Sequence, residues 1–386
     1  MSNCDTATVR NYPTSTVRHL AADQGGSRGT EGRIINRVTI ADIAAQAHLS
    51  KGAVSYALNG LPGVSDATRA RVQQIARDLS WTPNPIARAL SGARSNAIGL
   101  VLARPARMLG TEPFYMEFIA GVEEVLSQTS TALLLQVVGD RQREIQAITR
   151  WAHGRQVDAV IVVDPTAQDP RIPAIRALGI PALVVGVPAV AGDFACVWTD
   201  DAQSMAEIVR YLYALGHRRI AHVAGPADLA HVELRTHSWD TVVAALGLRP
   251  TEATVIHTDF SGEAGAQVTL RLLAQPEPPT AIIYDNDVMA VAGLSAATAM
   301  GSVVPDDLSI VAWDDSPLCN ITHPTLTALS RDIHALGAHV ARRLQDVLAG
   351  TQPAAHQDTP THITARGSTA PSLNARNRTS PLPTRS

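Results

Sequence analysis

The chain has 386 residues, 45% of them apolar, and a formal net charge of −3, enough for a small module plus a large α/β core. No apolar run approaches the roughly 20 residues that span a bilayer, so no membrane partner is expected. Cys4, Cys196 and Cys319 are odd in number and lack metal-ligand spacing, so neither a disulfide framework nor a zinc site is indicated and a cytoplasmic protein is expected.

Residues 1–36 are rich in Ser, Thr, Gly and charge. Without the continuous apolar core of an export signal, they are expected to form a disordered extension. From Val38 the pattern changes: Ile40, Ile43, Ala44 and Ala47 recur at helical spacing, and Thr39 with Asp42 three residues later makes a capping-box-like start. A second helix starts at Ser50, whose hydroxyl can cap the donors at Ala53. It turns Ala53, Val54, Ala57 and Leu58 toward the first helix and Lys51, Gly52, Ser55 and Tyr56 away from it. A third helix, capped by Ser65, runs through Thr68, Val72, Ile75, Ala76 and Leu79 to Trp81 as an apolar lid.

In a helix-turn-helix, the early positions of the second helix enter the major groove and read base edges. The spacing therefore predicts a DNA-binding head over residues 37–82. Its candidate contacts are Thr39, Ser50, Lys51, Gly52, Ala53, Ser55, Tyr56, Asn59 and Ser65. In residues 83–94, Asn84 can cap and Pro85 can open a brief helix to Ser91, too short to be stable alone. Such a hinge would order on a surface, with Arg88 and Arg94 available to phosphates and Leu90 as a wedge between minor-groove base pairs. Between Arg33 and Ser95, eight basic residues oppose three acidic ones, so this stretch carries +5 and the remainder −8. Only the basic part is suited to meeting phosphates.

From Val38 to Val101 the chain resembles the head, hinge and first core strand of the LacI family, and the resemblance extends through nearly all that follows. It implies an all-α helix-turn-helix head, a hinge helix and a two-lobed periplasmic-binding-protein-like core, acting as a homodimer on double-stranded operator DNA. The core, placed at residues 95–370, alternates strand-like runs such as AIGLVLA, TALLLQVV, DAVIVVD and PALVVG with helical segments. A second series follows in RIAHVAG, ATVIHTD, TAIIYD and LSIVAWDD, with helices near 201–215, 233–246, 261–274 and 286–300. That alternation predicts an α/β fold with two parallel sheets and a cleft between lobes, where a ligand collects at the carboxyl ends of the strands. Residues 371–386 are expected to be a disordered tail without a leucine heptad.

The resemblance also places candidate effector contacts: Phe114 and Tyr115 in the first lobe, then Arg235, Phe260, Asn286, Asp314 and Arg331. The mixture of basic, acidic and aromatic groups suits a sugar or related polyhydroxylated metabolite, and effector binding would change the angle between lobes and so govern operator binding. Trp239 falls at a packing position, whereas Trp313 fits either the core or a ligand platform. Three positions depart from the family pattern. Many members carry an arginine where Tyr56 stands and a longer polar side chain where Gly52 stands, and Ser238 replaces a common glycine. A solute-binding protein without regulatory role would share the core but not the head. An enzyme would need a nucleophile elbow, P-loop, HExxH or dinucleotide fingerprint, none of which is present, so neither catalysis nor a cofactor is expected. His217, before a strand, reads as structural.

Overall fold

The computed structural model describes residues 38–81, 94–105, 110–249 and 251–373. The chain divides into two units, residues 1–82 and 83–386. In the first unit, α1 (Ile40–Ala47), α2 (Lys51–Leu58) and α3 (Asp66–Asp78) each start at a hydroxyl-bearing residue that cannot comfortably sit inside a helix. The Asp42 carboxylate accepts from the Thr39 amide at 2.7 Å, Ser50 Oγ from Ala53 at 3.1 Å and Ser65 Oγ from Thr68 at 3.3 Å. Between α1 and α2, His48 takes a left-handed φ of 51°, and Leu49 N donates back to the Ala44 carbonyl at 3.0 Å. That reversal brings the helices together over a core of Ile43, Ala44, Ala47, Val54, Ala57, Val72 and Ala76. The alanines allow close approach. Two arginines of α3 then tie down carbonyl groups of the other helices and their loops, Arg71 at Ala47 and Arg69 at Leu61 (3.0 Å). The third helix stops at Asp78, short of Trp81. Ser80 enters the left-handed region at φ 49°, and Trp81 N folds back to the Ala76 carbonyl at 2.8 Å.

In the second unit, β1 (Ala97–Ala103), α4 (Pro113–Ser127), β2 (Ala132–Val138), α5 (Arg141–His153), β3 (Ala159–Val162), α6 (Arg171–Leu178), β4 (Ala182–Val185), α7 (Pro188–Ala191) and β5 (Ala195–Trp198) build the first lobe. The chain then crosses to a second lobe of α8 (Asp201–Ala214), β6 (Ile220–Ala224), α9 (Ala230–Ala245), β7 (Ala253–His257), α10 (Gly262–Leu273), β8 (Ala281–Tyr284), α11 (Asp287–Ala299), β9 (Ser309–Trp313), α12 (Pro317–Ile321) and β10 (Thr327–Ser330). It returns through α13 (Ile333–Leu348) and β11 (Ala355–Gln357) and crosses again to β12 (His362–Thr364). The sheets run 2-1-3-4-5-11 and 7-6-8-9-10-12, parallel throughout except that β12 pairs antiparallel with β10. Inner strands such as β3 and β8 are buried at every residue, as expected where helices cover both faces. Three crossovers, at 198–201, 330–333 and 357–362, therefore join the lobes.

Order extends past the expected core limit at 370: Ser372 is buried, and its amide and hydroxyl donate to the Leu215 and Gly216 carbonyls at 2.9 Å each. His217 is structural in the way its position suggests. Nδ1 pairs with Thr280 Oγ1 at 2.9 Å and Nε2 with the Ala370 carbonyl at 3.0 Å. Ser238, which replaces a family glycine, donates to the Ala202 carbonyl at 2.5 Å and so links α9 to α8. Cys196 and Cys319 are buried free thiols. Among the described residues no helix is long and apolar enough to cross a membrane.

The returning helix α13 lies on α4 at glycine contacts. A methyl group at Gly121 would overlap the His334 carbonyl, and one at Gly337 would overlap the Phe118 carbonyl. Both obstacles are backbone, which cannot rotate away. Gly337→Ala is therefore expected to lower stability by about 1–3 kcal/mol, read as a lower midpoint in thermal denaturation. An unchanged midpoint would mean that the two helices separate freely.

Candidate DNA-reading face and inter-lobe cleft

On α2 the side turned from the head core carries Lys51, Gly52 and Tyr56, all exposed, with Ser55 half-buried beside them. Tyr56 is 49% exposed although its ring is large and largely apolar. A side chain at Gly52 would meet only Ser50 Oγ, at 3.9 Å, so nothing in the fold enforces glycine there. Ala53 is half-buried. Thr39, Ser50 and Ser65 act as helix caps with exposed hydroxyls. Asn59 is exposed but turns inward to its own helix: Nδ2 donates to the Ser55 carbonyl at 2.9 Å and to Ser55 Oγ at 3.3 Å. Arg88 and Leu90 lie outside the described residues, as does nearly all of the expected hinge. Arg94 is exposed, and its Nη2 donates to the Leu348 carbonyl at 2.6 Å, at the end of α13.

The structure brings all seven candidate effector contacts, Phe114, Tyr115, Arg235, Phe260, Asn286, Asp314 and Arg331, to the wall of one cavity between the lobes. Counted to its open mouth, it spans about 880 Å³. In each sheet the strand order reverses about a central pair, β1 with β3 and β6 with β8, and doubly wound sheets bind ligands at that reversal. Arg104 follows β1 and Asp164 follows β3. Their side chains pair at 2.8 Å, and the Tyr115 hydroxyl donates to the same carboxylate. In the second lobe Asp285 follows β8, taking His222 Nε2 at 2.9 Å and the Gly225 amide at 3.0 Å.

Arg235 lies almost wholly buried on α9. Its Nε donates to Asp201 at 2.9 Å, its Nη1 to the Asp285 carbonyl at 3.3 Å, and its guanidinium stacks 3.7 Å from the Trp313 ring centre. The Nη2 donors are left without a partner among the described residues. Trp313 is thereby capped and 1% exposed, so it is no open ligand platform; Trp239, also 1% exposed, is core. Asn286 caps α11 by accepting from Met289 N at 2.8 Å and donates to the Phe260 carbonyl at 3.0 Å, which makes it a positioning group for the aromatic ring. Asp314 accepts from Arg331 Nε at 2.7 Å, and Arg331 lies 5.4 Å from the Phe114 ring centre.

Burial alone would raise the Asp164 and Asp285 carboxyls. The Arg104 guanidinium, with the Tyr115 hydroxyl, outweighs it at the first, and His222 with Arg235 at the second, so both are held well below the usual carboxylate range. His231 is pushed down by burial and by Arg235, which keeps its ring neutral in the cleft. Three wall residues, Asp164, Phe260 and Asp314, have left-handed φ values of 49°, 68° and 66°. Such conformations cost on the order of 1 kcal/mol each and persist where surrounding contacts hold them. Arg104, Asp164, His231, Asp201 and Asp285 are not among the candidates that the sequence suggests through family resemblance. Arg104, Asp164 and Asp285 stand at strand carboxyl ends, and the strand-end rule applied without reference to a family would have marked them.

Family profiles agree with this layout. "Bacterial regulatory proteins, lacI family" matches residues 39–84, and "Periplasmic binding protein-like domain" matches residues 209–369. The HTH-type transcriptional regulator AglR of Rhizobium meliloti is 33% identical over 313 residues, covering 80% of this chain and 87% of its own length. Among solved structures, the lac repressor dimer bound to operator and the anti-inducer ONPF aligns with a TM-score of 0.75 and 26% identity, over 87% of this chain and all of that one. The transcriptional regulator CelR in complex with cellobiose aligns at 0.65 and 27%, over 86% and all of that chain.

A methyl group on Gly225, at the end of β6, would overlap the Phe260 ring. Gly225→Ala is expected to displace that ring and abolish ligand-induced stabilisation in a thermal-shift assay. A variant stabilised as much as the parent would remove Phe260 from the binding wall.

Proposed function

Because the chain belongs to the LacI family of bacterial transcriptional regulators, we propose that its head grips operator DNA as part of a homodimer and that a sugar or related polyhydroxylated metabolite in the cleft governs this grip. The observation that carries the reading is the convergence of aromatic rings and paired charges on one inter-lobe cavity in a chain that also has a helix-turn-helix. Aromatic faces suit the apolar face of a sugar ring, and fixed donors and carboxylates suit its hydroxyls. The cellobiose complex of a similar regulator supports the sugar class, and the operator complex of the lac repressor dimer supports the assembly. A solute-binding role alone would leave the head unexplained.

The coupling is two-state. Effector contacts lie on both lobes and at the 330–333 crossover, so a bound molecule favours one inter-lobe angle over another, and that angle biases residues 83–94 toward or away from ordering on DNA. The linkage is reciprocal, so operator binding changes effector affinity by the same factor.

Two variants separate the halves of this reading. In a binding-site selection, Tyr56→Ala is expected to alter the consensus at one position, a loss of about 1–3 kcal/mol in discrimination; an unchanged consensus removes Tyr56 from base readout. Arg235→Ala should retain operator affinity in a gel-shift titration but lose its response to effector, whereas a normal response would refute the cleft assignment.

A further inference from the structure

On the two-state coupling above, and whatever the effector, we propose that residues 164–171 form a strap that holds the lobes together, latched by Arg141 to Asp228 of the second lobe. Arg141, Glu144, Asp169, Arg171 and Asp228 carry this device, and none of them lines the inter-lobe cavity. The strap runs from Asp164, past the end of β3, to Arg171 at the start of α6. Just past β3 it meets the second lobe directly: the Pro165 carbonyl accepts from the Ala230 amide at 2.9 Å, and Thr166 forms an antiparallel bridge with Leu229.

Two backbone contacts can set a lobe arrangement only if the strap itself is stiff. Asp169 stiffens it from within, accepting from the Thr166 amide at 3.1 Å and from the Arg171 amide at 2.9 Å. Arg171, 2% exposed, locks it to the body of the first lobe. Its guanidinium donates to both Asp169 oxygens, to Glu144 on α5 at 2.6 Å and to the Asp164 carbonyl at 3.0 Å.

The charges of this network do not balance without Arg141. Glu144 and Asp169 are two buried carboxylates facing one buried guanidinium, and a buried charge needs a partner. Arg141, at the start of α5, supplies the second cation, with Nη1 4.0 Å from Asp169. Because these partners all lie in the first lobe, they hold Arg141 in place whether or not the lobes touch. Its Nη2 is thereby presented to Asp228 at 3.9 Å, in the loop between β6 and α9 that also carries Leu229. The Asp228 side chain is 69% exposed, so this pair is screened by water and salt. Such a pair adds little to folding stability but shifts a balance between two lobe arrangements of similar energy. The buried brace sets the shape of the strap, and the exposed pair sets how often it engages.

The test is double electron–electron resonance on the full chain carrying Cys4→Ser, spin-labelled at Gln146→Cys on α5 and His237→Cys on α9. Both positions are exposed, on the two helices that begin at the latch, while Cys196 and Cys319 are buried and stay unlabelled. Dilution with excess unlabelled chain leaves one labelled copy per homodimer. Arg141→Ala and Asp228→Ala should each raise the ratio of long to short inter-lobe distances about two- to fivefold. The double variant should go no further than either single one, because both remove the same contact. Raising NaCl from about 50 to about 500 mM should shift the parent in the same direction and leave the variants nearly unmoved. Populations indifferent to both substitutions, or effects that add in the double variant, would overturn the latch. So would an opening caused by Arg141→Ala but not by Asp228→Ala, which would confine Arg141 to bracing the first lobe. Those outcomes leave the two-state reading standing, whereas a single inter-lobe distance in every sample would remove both. Asp228→Ala alters an exposed side chain, so it decides the matter alone if Arg141→Ala fails to fold.

Discussion

Arg235 is the interaction on which the cleft depends. Its guanidinium lies between the carboxylate of Asp201, just past the first crossover, and both the carbonyl and the carboxylate of Asp285 at the end of β8, with Trp313 beneath. A buried cation needs such neutralisation, because removing one partner of a buried pair leaves an uncompensated charge at a cost of about 3–5 kcal/mol. The arrangement thus fixes α9, the end of β8 and the start of α8 relative to one another. Asp285 in turn orders His222 and the Gly225 amide, and Gly225 leaves room for Phe260.

The first lobe repeats this logic at its own strand ends. Arg104 and Asp164 pair where the sheet order reverses, Tyr115 closes the pair, and Arg104 reaches across to within 5.1 Å of the Phe260 ring centre. The lobes also meet through the backbone, where the Ala230 amide donates to the Pro165 carbonyl at 2.9 Å. Cleft chemistry and lobe contact therefore involve neighbouring residues. A molecule that satisfies the remaining donors and acceptors cannot do so without favouring one relation between the lobes, which is the physical basis of control by a ligand.

Local order in the chain accounts for much of the fold. The three head helices follow from hydroxyl caps and 3.6-residue apolar spacing, both properties of neighbouring residues, and they lie within a few residues of their expected limits. The early stop before Trp81 has a local cause as well, since Ser80 adopts a left-handed φ that apolar spacing does not encode. The longer inner strands are evident from continuous apolar runs. The strands β5 and β10 and the returning elements α13, β11 and β12 are not, because none carries an apolar run as distinct as those and the last two join sheets whose other strands lie far back in the chain.

The sequence by itself determined the division into a basic head and an acidic α/β core, and through resemblance it nominated seven cleft residues. Only the tertiary structure decided where each sits and which groups it meets. It turned Trp313 from a possible platform into the floor under Arg235 and made Asn286 a brace for Phe260. It left Glu112 Oε2 without a hydrogen-bond partner among the described residues. Helical and strand periodicity is written in neighbouring residues. Burial, charge pairing and the enclosure of a carboxylate oxygen depend on groups that meet only after the chain has crossed between lobes three times.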